Sequence, residues 1–410
     1  PSEWLDTDRD GIGDNSDPDD DGDGFEDVYD GLPLDPLQSL RKEGVQFLVT
    51  SESDLWQQNP SIATFSDGGF VVVWNSTASN GLAGDIFGRI YESNGVPRDT
   101  FFTVTNAFGM QGKPKVITLA DDSFAVAWEN YPQSINVKKY TRAGVPIGNE
   151  LQIDSNIGET KYEPILASLA DGGFVAAWVS WDQDNTSASI YAQRFQSDSE
   201  RVGGVFLVTN LGHYPAGAAL ADGGFIFSWS SYDLPADVKG QLYAVDGLKN
   251  GEDFQANIYG DFGTQYDSSV TGLADGGFVV TWYSRDQFGF ESGVFAQVYD
   301  SNAIAVGGEI LVSSDGSSMP SIAYLPSGGF VVVWRRDHQN GSFSAIYGQR
   351  FSSSGLALGS EFMLNDDTDF DRSNPSVSTL ENGGLVIVWE SFYEDGSFGG
   401  IYGQKVSEYP

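Results

Sequence analysis

Seven times along the chain a motif of the form Asp-Gly-Gly-Phe-Val-Val-x-Trp recurs, and this repetition constrains the fold more than any other feature. Its tryptophans are Trp74, Trp128, Trp178, Trp229, Trp282, Trp334 and Trp389, with successive spacings of 54, 50, 51, 53, 52 and 55 residues. A period of about 50 residues suits one four-stranded propeller blade per unit. The fold class expected is therefore all-β: a seven-bladed β-propeller with four-stranded blades.

Each unit parses into four strands. In the third, residues 164–170 form the first strand, Asp171-Gly172-Gly173 a tight hairpin and 174–180 the second strand. After a polar loop come 190–195 and 205–210. Alternation and β-branched or aromatic content favour strands over helices. The last unit ends after its third strand, 401–406, while residues 45–50 (VQFLVT) match fourth strands such as VFLVTN. The amino-terminal strand is thus expected to complete the last blade and close the ring, which removes exposed sheet edges. This places the propeller at 44–410, after a linker at 37–43.

Charge divides the chain. Its 58 acidic and 21 basic residues give a net charge of −37, and residues 1–36 carry 14 acidic groups against one basic. Such a surface argues against nucleic acid and anionic membranes as partners. Cysteine is absent and only His213 and His338 are present, which excludes disulfides, thiol chemistry, Cys-ligated zinc and any site built on three histidines. No apolar run approaches the roughly 18 residues of a membrane-spanning helix. No signal peptide is present, and a chain starting at Pro1 rather than Met is expected to be a processed or excised piece.

Within residues 1–36, Asp6, Asp8, Asp10, Asp14 and Asp17 fall at positions 1, 3, 5, 9 and 12 of a loop with Gly11 at position 6. Asp19, Asp21, Asp23, Asp27 and Asp30 repeat the register around Gly24. A calcium ion takes six to eight oxygens, and the carbonyls of Ile12 and Phe25 stand where each loop would add one. Pro18, Pro33 and Pro36 oppose the flanking helices of an EF-hand. The segment resembles bacterial thrombospondin type-3 repeats, which implies tandem calcium loops with the named aspartates as ligands. Calcium is accordingly the expected cofactor, stiffening a spacer or docking element ahead of the propeller.

The propeller repeat resembles those of large secreted, calcium-dependent, RTX-like bacterial adhesins, which implies a secreted or cell-surface protein. The repeat tryptophans read as core, packing blade on blade. The Asp-Gly-Gly steps read as hairpin turns. Gln193, Gln241, Gln297, Gln349 and Gln404, with Arg89 and Lys138 in the first two units, read as inter-blade hydrogen bonders or as ligand contacts. The long loops after second strands and between blades share one face, and function concentrates on such loops. Candidate ligand-binding residues there are Trp56, Trp181, Asp182, Tyr232, Asp286, Asp337 and His338. Aromatic faces beside carboxylates suit sugar rings, so the expected partner is a polysaccharide or glycan, with a protein partner as a further possibility. The leading expectation is a lectin- or adhesin-like binding module. The alternatives are a polysaccharide lyase or glycosidase on the same face, with His338 beside Arg335, Arg336 and Asp337, or His213-Tyr214, as acid–base candidates, and a structural scaffold.

Overall fold

The computed structural model describes residues 40–408 apart from 51–55, 78–83, 99–100, 106–108, 132–133, 154–159, 183–186, 232–235, 259–263, 286–291, 315 and 338–342; within 1–39 it describes residues 7, 12–14, 16–18 and 20. Among the described residues there are 28 strands and no helix. They form seven four-stranded antiparallel blades, with the first two blades also joined by a single parallel bridge between Gly84 and Met110. The chain is a seven-bladed β-propeller.

The second strand of each blade reads as a continuous apolar run because neighbouring blades cover both of its faces. In blade 1 the strand Phe70–Thr77 is buried at every position. The apolar residues fall into seven clusters, each filling one seam between adjacent blades. One cluster sets Ala323, Val331 and Val333 of blade 6 against Leu385, Ile387 and Trp389 of blade 7. All seven repeat tryptophans are at most 2% exposed, as the repeat implied. At the hairpin end, cross-strand ring pairs such as Phe70–Tyr91 (4.6 Å) and Phe225–Tyr243 (4.9 Å) stack nearly parallel.

The Asp-Gly-Gly hairpins are held by the Asp side chain, as where Gly173 N–H donates to Asp171 Oδ1 at 2.9 Å. In blades 3 and 4 the second glycine is fixed by proximity, whereas blade 2 carries Ser123 there. A Cβ on Gly173 or Gly224 would lie 2.3 Å from the third-strand carbonyl oxygen of Phe195 or Tyr243. The recurrent glutamines bond within their blades, not between them. Gln193 Nε2 donates to the carbonyls of Arg194 and Val202, and Gln404 Nε2 to those of Lys405, Glu43 and Gly44. Each feeds a fourth-strand bulge of its own blade. Arg89 and Lys138 instead reach the carbonyls of Val49 and Val104 across a seam.

The ring closes through the amino-terminal strand Leu40–Leu48, which pairs antiparallel with the last strand, Gly400–Glu408. The strand begins earlier than the expected boundary at 44, since Leu40–Glu43 of the expected linker already pair with Glu408–Lys405. A polar clasp fixes it. Gln46 N–H donates to Asp366 Oδ2 (3.0 Å), and Lys42 Nζ lies 3.7 Å from Asp366. The Asp-rich loop that holds Asp366 is anchored by the fully buried Arg372, which pairs with Asp367 (2.9 Å) and Glu394 (3.2 Å).

Of the expected calcium ligands, Ile12, Asp14 and Asp17 are described. Both Asp14 carboxylate oxygens accept bonds from Thr7, at 2.9 Å each, and Asp17 N–H closes a turn on Gly13 O. Asp6, Asp8, Asp10, Asp19, Asp21, Asp23, Phe25, Asp27 and Asp30 lie outside the described residues. Among the described residues no group of three or more acidic or histidine side chains gathers as a metal site.

Closure yields a test. A chain lacking residues 1–48 would leave the strand Gly400–Glu408 as an unpaired edge and blade 7 with three strands. It is expected to melt at lower temperature and to self-associate by size-exclusion chromatography, whereas a chain lacking residues 1–39 should stay monodisperse. Equal behaviour of the two truncations would contradict the closure.

Candidate functional site

The inner strand of every blade contains one extra residue. In blade 3 the register with the second strand slips between Tyr162 and Ile165, and the same slip occurs in all seven blades. At each slip one residue is left-handed: Asn59, Lys113, Glu163, Tyr214, Asp267, Met319 and Asn374, with φ between 44° and 55°. None is glycine, and such conformations cost about 1–3 kcal/mol each. Proline follows in six blades, and Ser268 takes its place in the fifth. Proline suits a bulge because it has no N–H to leave unpaired. The left-handed residue's own N–H is met from the adjoining blade in three cases. Glu390 accepts from Asn59, Glu129 from Glu163 (2.7 Å) and Glu163 from Tyr214 (2.8 Å).

The bulges lie toward the long-loop end of the inner strands. Thr160, at the start of the blade 3 inner strand, pairs with Trp181, just before the long loop. The seven left-handed residues line an axial cavity of about 580 Å³. A second hollow of about 520 Å³ adjoins it, walled by Trp181, Tyr162, His213 and Tyr214 and sharing Lys113 and Glu163.

Chemistry is distributed unevenly around this ring. Blades 6, 7 and 1 contribute Met319, Asn374 and Asn59; blades 2 to 5 contribute Lys113, Lys115, Glu163, Tyr214 and Asp267. Lys113 Nζ lies 3.4 Å from Glu163 and 3.7 Å from Glu129. Burial pulls the Lys113 ammonium down, but the charges of Glu163 and Glu129 outweigh it and hold it above the ordinary lysine range. Burial raises Glu129. Burial, reinforced by the charge of Glu163 and opposed by Lys113 and Lys115, pushes Asp267 up to about 6. Burial lowers His213 against the pull of Glu163 and raises Tyr214. An aromatic run follows the same arc: His213 and Tyr214 (4.7 Å), Tyr214 and Tyr266 (6.3 Å), Tyr266 and Tyr283 (4.7 Å between centroids).

Of the ligand-binding residues expected from sequence, Trp181 walls this site. Trp56 does not. It sits at the seam of blades 7 and 1, edge-on to Phe392 at 6.1 Å and against Gly399. Asp182 is turned into its own loop, accepting from Ser187 Oγ at 2.8 Å. Asp337 pairs with Arg335 at 2.7 Å on blade 6, away from the cavity lining. Arg336 is held by Glu361 and stacks on Tyr347, so the arginines beside His338 serve structural pairs. Tyr232, Asp286 and His338 lie outside the described residues. His213-Tyr214, the second acid–base candidate, is in the site. Sequence reasoning missed Lys113, Lys115, Glu129, Glu163 and Asp267. For Lys113 and Glu163 the signal was present: in six units a proline stands fourteen residues before the repeat tryptophan, and the residue preceding it varies.

No family model matches the sequence, and no curated protein does. Solved structures match its fold. A protein of unknown function from Dyadobacter fermentans has a TM-score of 0.56 at 12% identity, over 90% of this chain and 99% of that one. An alpha-L-arabinanase from Penicillium chrysogenum, complexed with arabinobiose, has a TM-score of 0.51 at 18% identity, over 72% and 92%. An alpha-L-arabinofuranosidase from Fusarium graminearum, in complex with an iminosugar inhibitor, has a TM-score of 0.50 at 14% identity, over 71% and 91%. At these identities the likeness is one of fold.

The environment of Asp267 has a stability consequence. A carboxyl raised to about 6 in the folded chain binds its proton more tightly there than when unfolded. Below about pH 4 both states are protonated and the group is neutral to stability; its cost grows between about pH 4 and 6 and is full above that. Asp267→Asn is therefore expected to be more stable than the parent at pH 7, by up to about 3 kcal/mol, with the gain gone at pH 4. Denaturant midpoints at the two pH values check this, and an unchanged difference between them would contradict it.

Proposed function

We propose that this chain is a polysaccharide-degrading enzyme, a glycoside hydrolase whose reaction centre is the axial cavity, with Asp267 as proton donor and Glu163 as its partner carboxylate. The observation that carries this reading is a pair of carboxylates set around one cavity in different surroundings. Asp267 is half-buried on the cavity wall and holds its proton to about pH 6, while Glu163 is tied to Lys113 and the Tyr214 N–H. Two carboxyl groups in dissimilar environments are what acid-assisted glycoside cleavage requires. Asp267 gives its proton to the departing glycosidic oxygen. Glu163 attacks the anomeric carbon or takes a proton from the water that does, and one water is consumed per bond broken. Trp181 and Tyr214 offer flat faces for the flanking sugar rings.

A binding module, the leading expectation from sequence, would need the aromatic wall but not a half-buried carboxyl of raised proton affinity. The sharing of the fold with an arabinanase and an arabinofuranosidase is in keeping with hydrolysis.

Asp267→Asn and Glu163→Gln are each expected to lower the release of reducing ends from a responsive polysaccharide by about 10²–10⁴-fold while leaving binding in affinity electrophoresis intact. Activity of the parent should fall as pH rises through about 6, because Asp267 then loses the proton it must donate. Retarded migration with intact polymer under all conditions would return the weight to a lectin. Products carrying an unsaturated end would instead indicate a lyase using His213 or Tyr214.

Calcium binding by the aspartates of residues 6–30, in a secreted or cell-surface protein, stays part of this proposal on the strength of their loop register. Chelation is expected to expose residues 1–39 to an endoproteinase that cuts after Glu and Asp, while leaving the near-ultraviolet circular dichroism of the propeller unchanged. Protection indifferent to chelator would remove calcium from the account.

A further inference from the structure

We propose that the axial cavity takes a sugar bearing an anionic substituent, a uronate carboxylate or a sulfate ester, and that Lys115 is the residue that recognises it. This rests on the hydrolase reading of the same cavity and names its substrate class.

Lys115 follows the bulge proline of blade 2, and the corresponding positions of the other blades hold only Ser, Ile or Ala. It is the one charged side chain at that level of the ring. It is exposed, yet the surface to which it is exposed is the wall of the cavity. The two lysines of the cavity are not equivalent. Lys113 is committed to Glu163 and Glu129. Among the described residues Lys115 forms no hydrogen bond or ion pair, and it meets Glu163 and Asp267 only as more distant charges. Enclosure and the repulsion of Lys113 both bear against its charged form. An ammonium on the cavity wall with no ion pair of its own is placed to take an anion of the ligand. Lysine supplies this as a point charge with three donors, without fixing a bidentate geometry, which suits carboxylate and sulfate alike.

The proposal carries a consequence for the reaction. A bound anion adds negative charge near Asp267, so it should raise the proton affinity of that carboxyl further. The alkaline limb of kcat, which reports the substrate complex, should then lie at higher pH than the limb of kcat/KM, which reports the free enzyme. A neutral substrate would leave the two limbs together.

The experiment measures binding to Asp267→Asn protein, with and without Lys115→Met, by calorimetry against three probes: an oligouronate, a sulfated neutral oligosaccharide, and the same oligouronate after reduction of its carboxyl groups. The expected result is that Lys115→Met weakens an anionic probe by about ten- to a hundredfold and leaves the reduced probe unchanged. Lys249→Met, on the outer strand Lys249–Gln255 of blade 4, serves as the control for net charge and should change none of them. Loss confined to the oligouronate assigns a carboxylate, and loss confined to the sulfated probe assigns a sulfate ester. Equal affinity for the oligouronate and its reduced form, or a Lys115→Met protein that binds all probes as before, overturns the proposal while leaving hydrolysis of a neutral glycan standing. Failure of every probe to bind, together with no cleavage of any polymer by the parent, would overturn both readings.

Discussion

The second strand of each blade is buried on both faces, and the rest of the architecture follows from that. A strand such as Phe70–Thr77, with no exposed position, cannot be satisfied by one packing partner. Every blade therefore needs a neighbour on each side, and a finite row of blades would leave an apolar face open at both ends. Ring closure removes both ends at once. The seam where Ile62 and Trp74 of the first blade meet Val49, Leu380, Val386 and Ile401 of the last shows this outcome. The strand Leu40–Leu48 closes the edge as well as the faces, since without it Gly400–Glu408 would lack its outer partner. Hydrophobic burial of this kind is additive over seven seams, so the fold tolerates local costs that a smaller core could not.

Those costs are concentrated around the axis. Seven non-glycine residues are held left-handed, Glu129 and Glu390 are buried acceptors, and Asp267 is desolvated beside another carboxylate. The bulges explain how such groups come together. An inner strand without a slip would alternate its side chains between the two seams, with none aimed steadily at the axis. One inserted residue in the left-handed conformation turns a single side chain inward at the same height in every blade, and the following proline removes the donor that the bulge would otherwise strand. Strain at the mouth of the channel is thus tied to the placing of chemical groups there.

Most of the scaffold was legible in the sequence because its determinants repeat. The tryptophans and the Asp-Gly-Gly turns recur with a fixed physical role, and the permuted strand is recognisable because it matches the fourth strands of the other units. The site was less legible for two reasons. Aromatic residues on long loops drew attention to the rim, where Trp181 belongs to the site but Trp56 packs on Gly399 and Asp337 on Arg335. The residues that meet at the axis are separated by about one repeat each and sit within strands. No local motif joins Lys113, Glu163 and Asp267; only the ring does. The recurrent glutamines show the opposite limit. Their repetition was evident, but whether an amide reaches across a seam or back to its own fourth strand depends on a bulge that composition does not reveal.

The repeats themselves offer a way to separate scaffold from site. Seven copies of one structural unit sit in nearly equivalent surroundings, so a residue type that recurs in all of them answers a constraint shared by all blades. A position that keeps the same backbone conformation while its side chain differs answers something particular to its place in the ring. The left-handed position satisfies the second condition: its φ varies by only about ten degrees, while its side chain runs from Asn and Met to Lys, Glu, Tyr and Asp. If the bulge served packing alone, Asn or Asp, which tolerate that conformation, would suffice in every blade. Lys113, Glu163 and Tyr214 accept a greater backbone penalty than Asn would, and all three lie in consecutive blades facing the same arc of the cavity. Asp267 extends that arc by one blade. The asymmetry of charge within a near-symmetric ring is therefore the part of the molecule that the folding constraints do not account for.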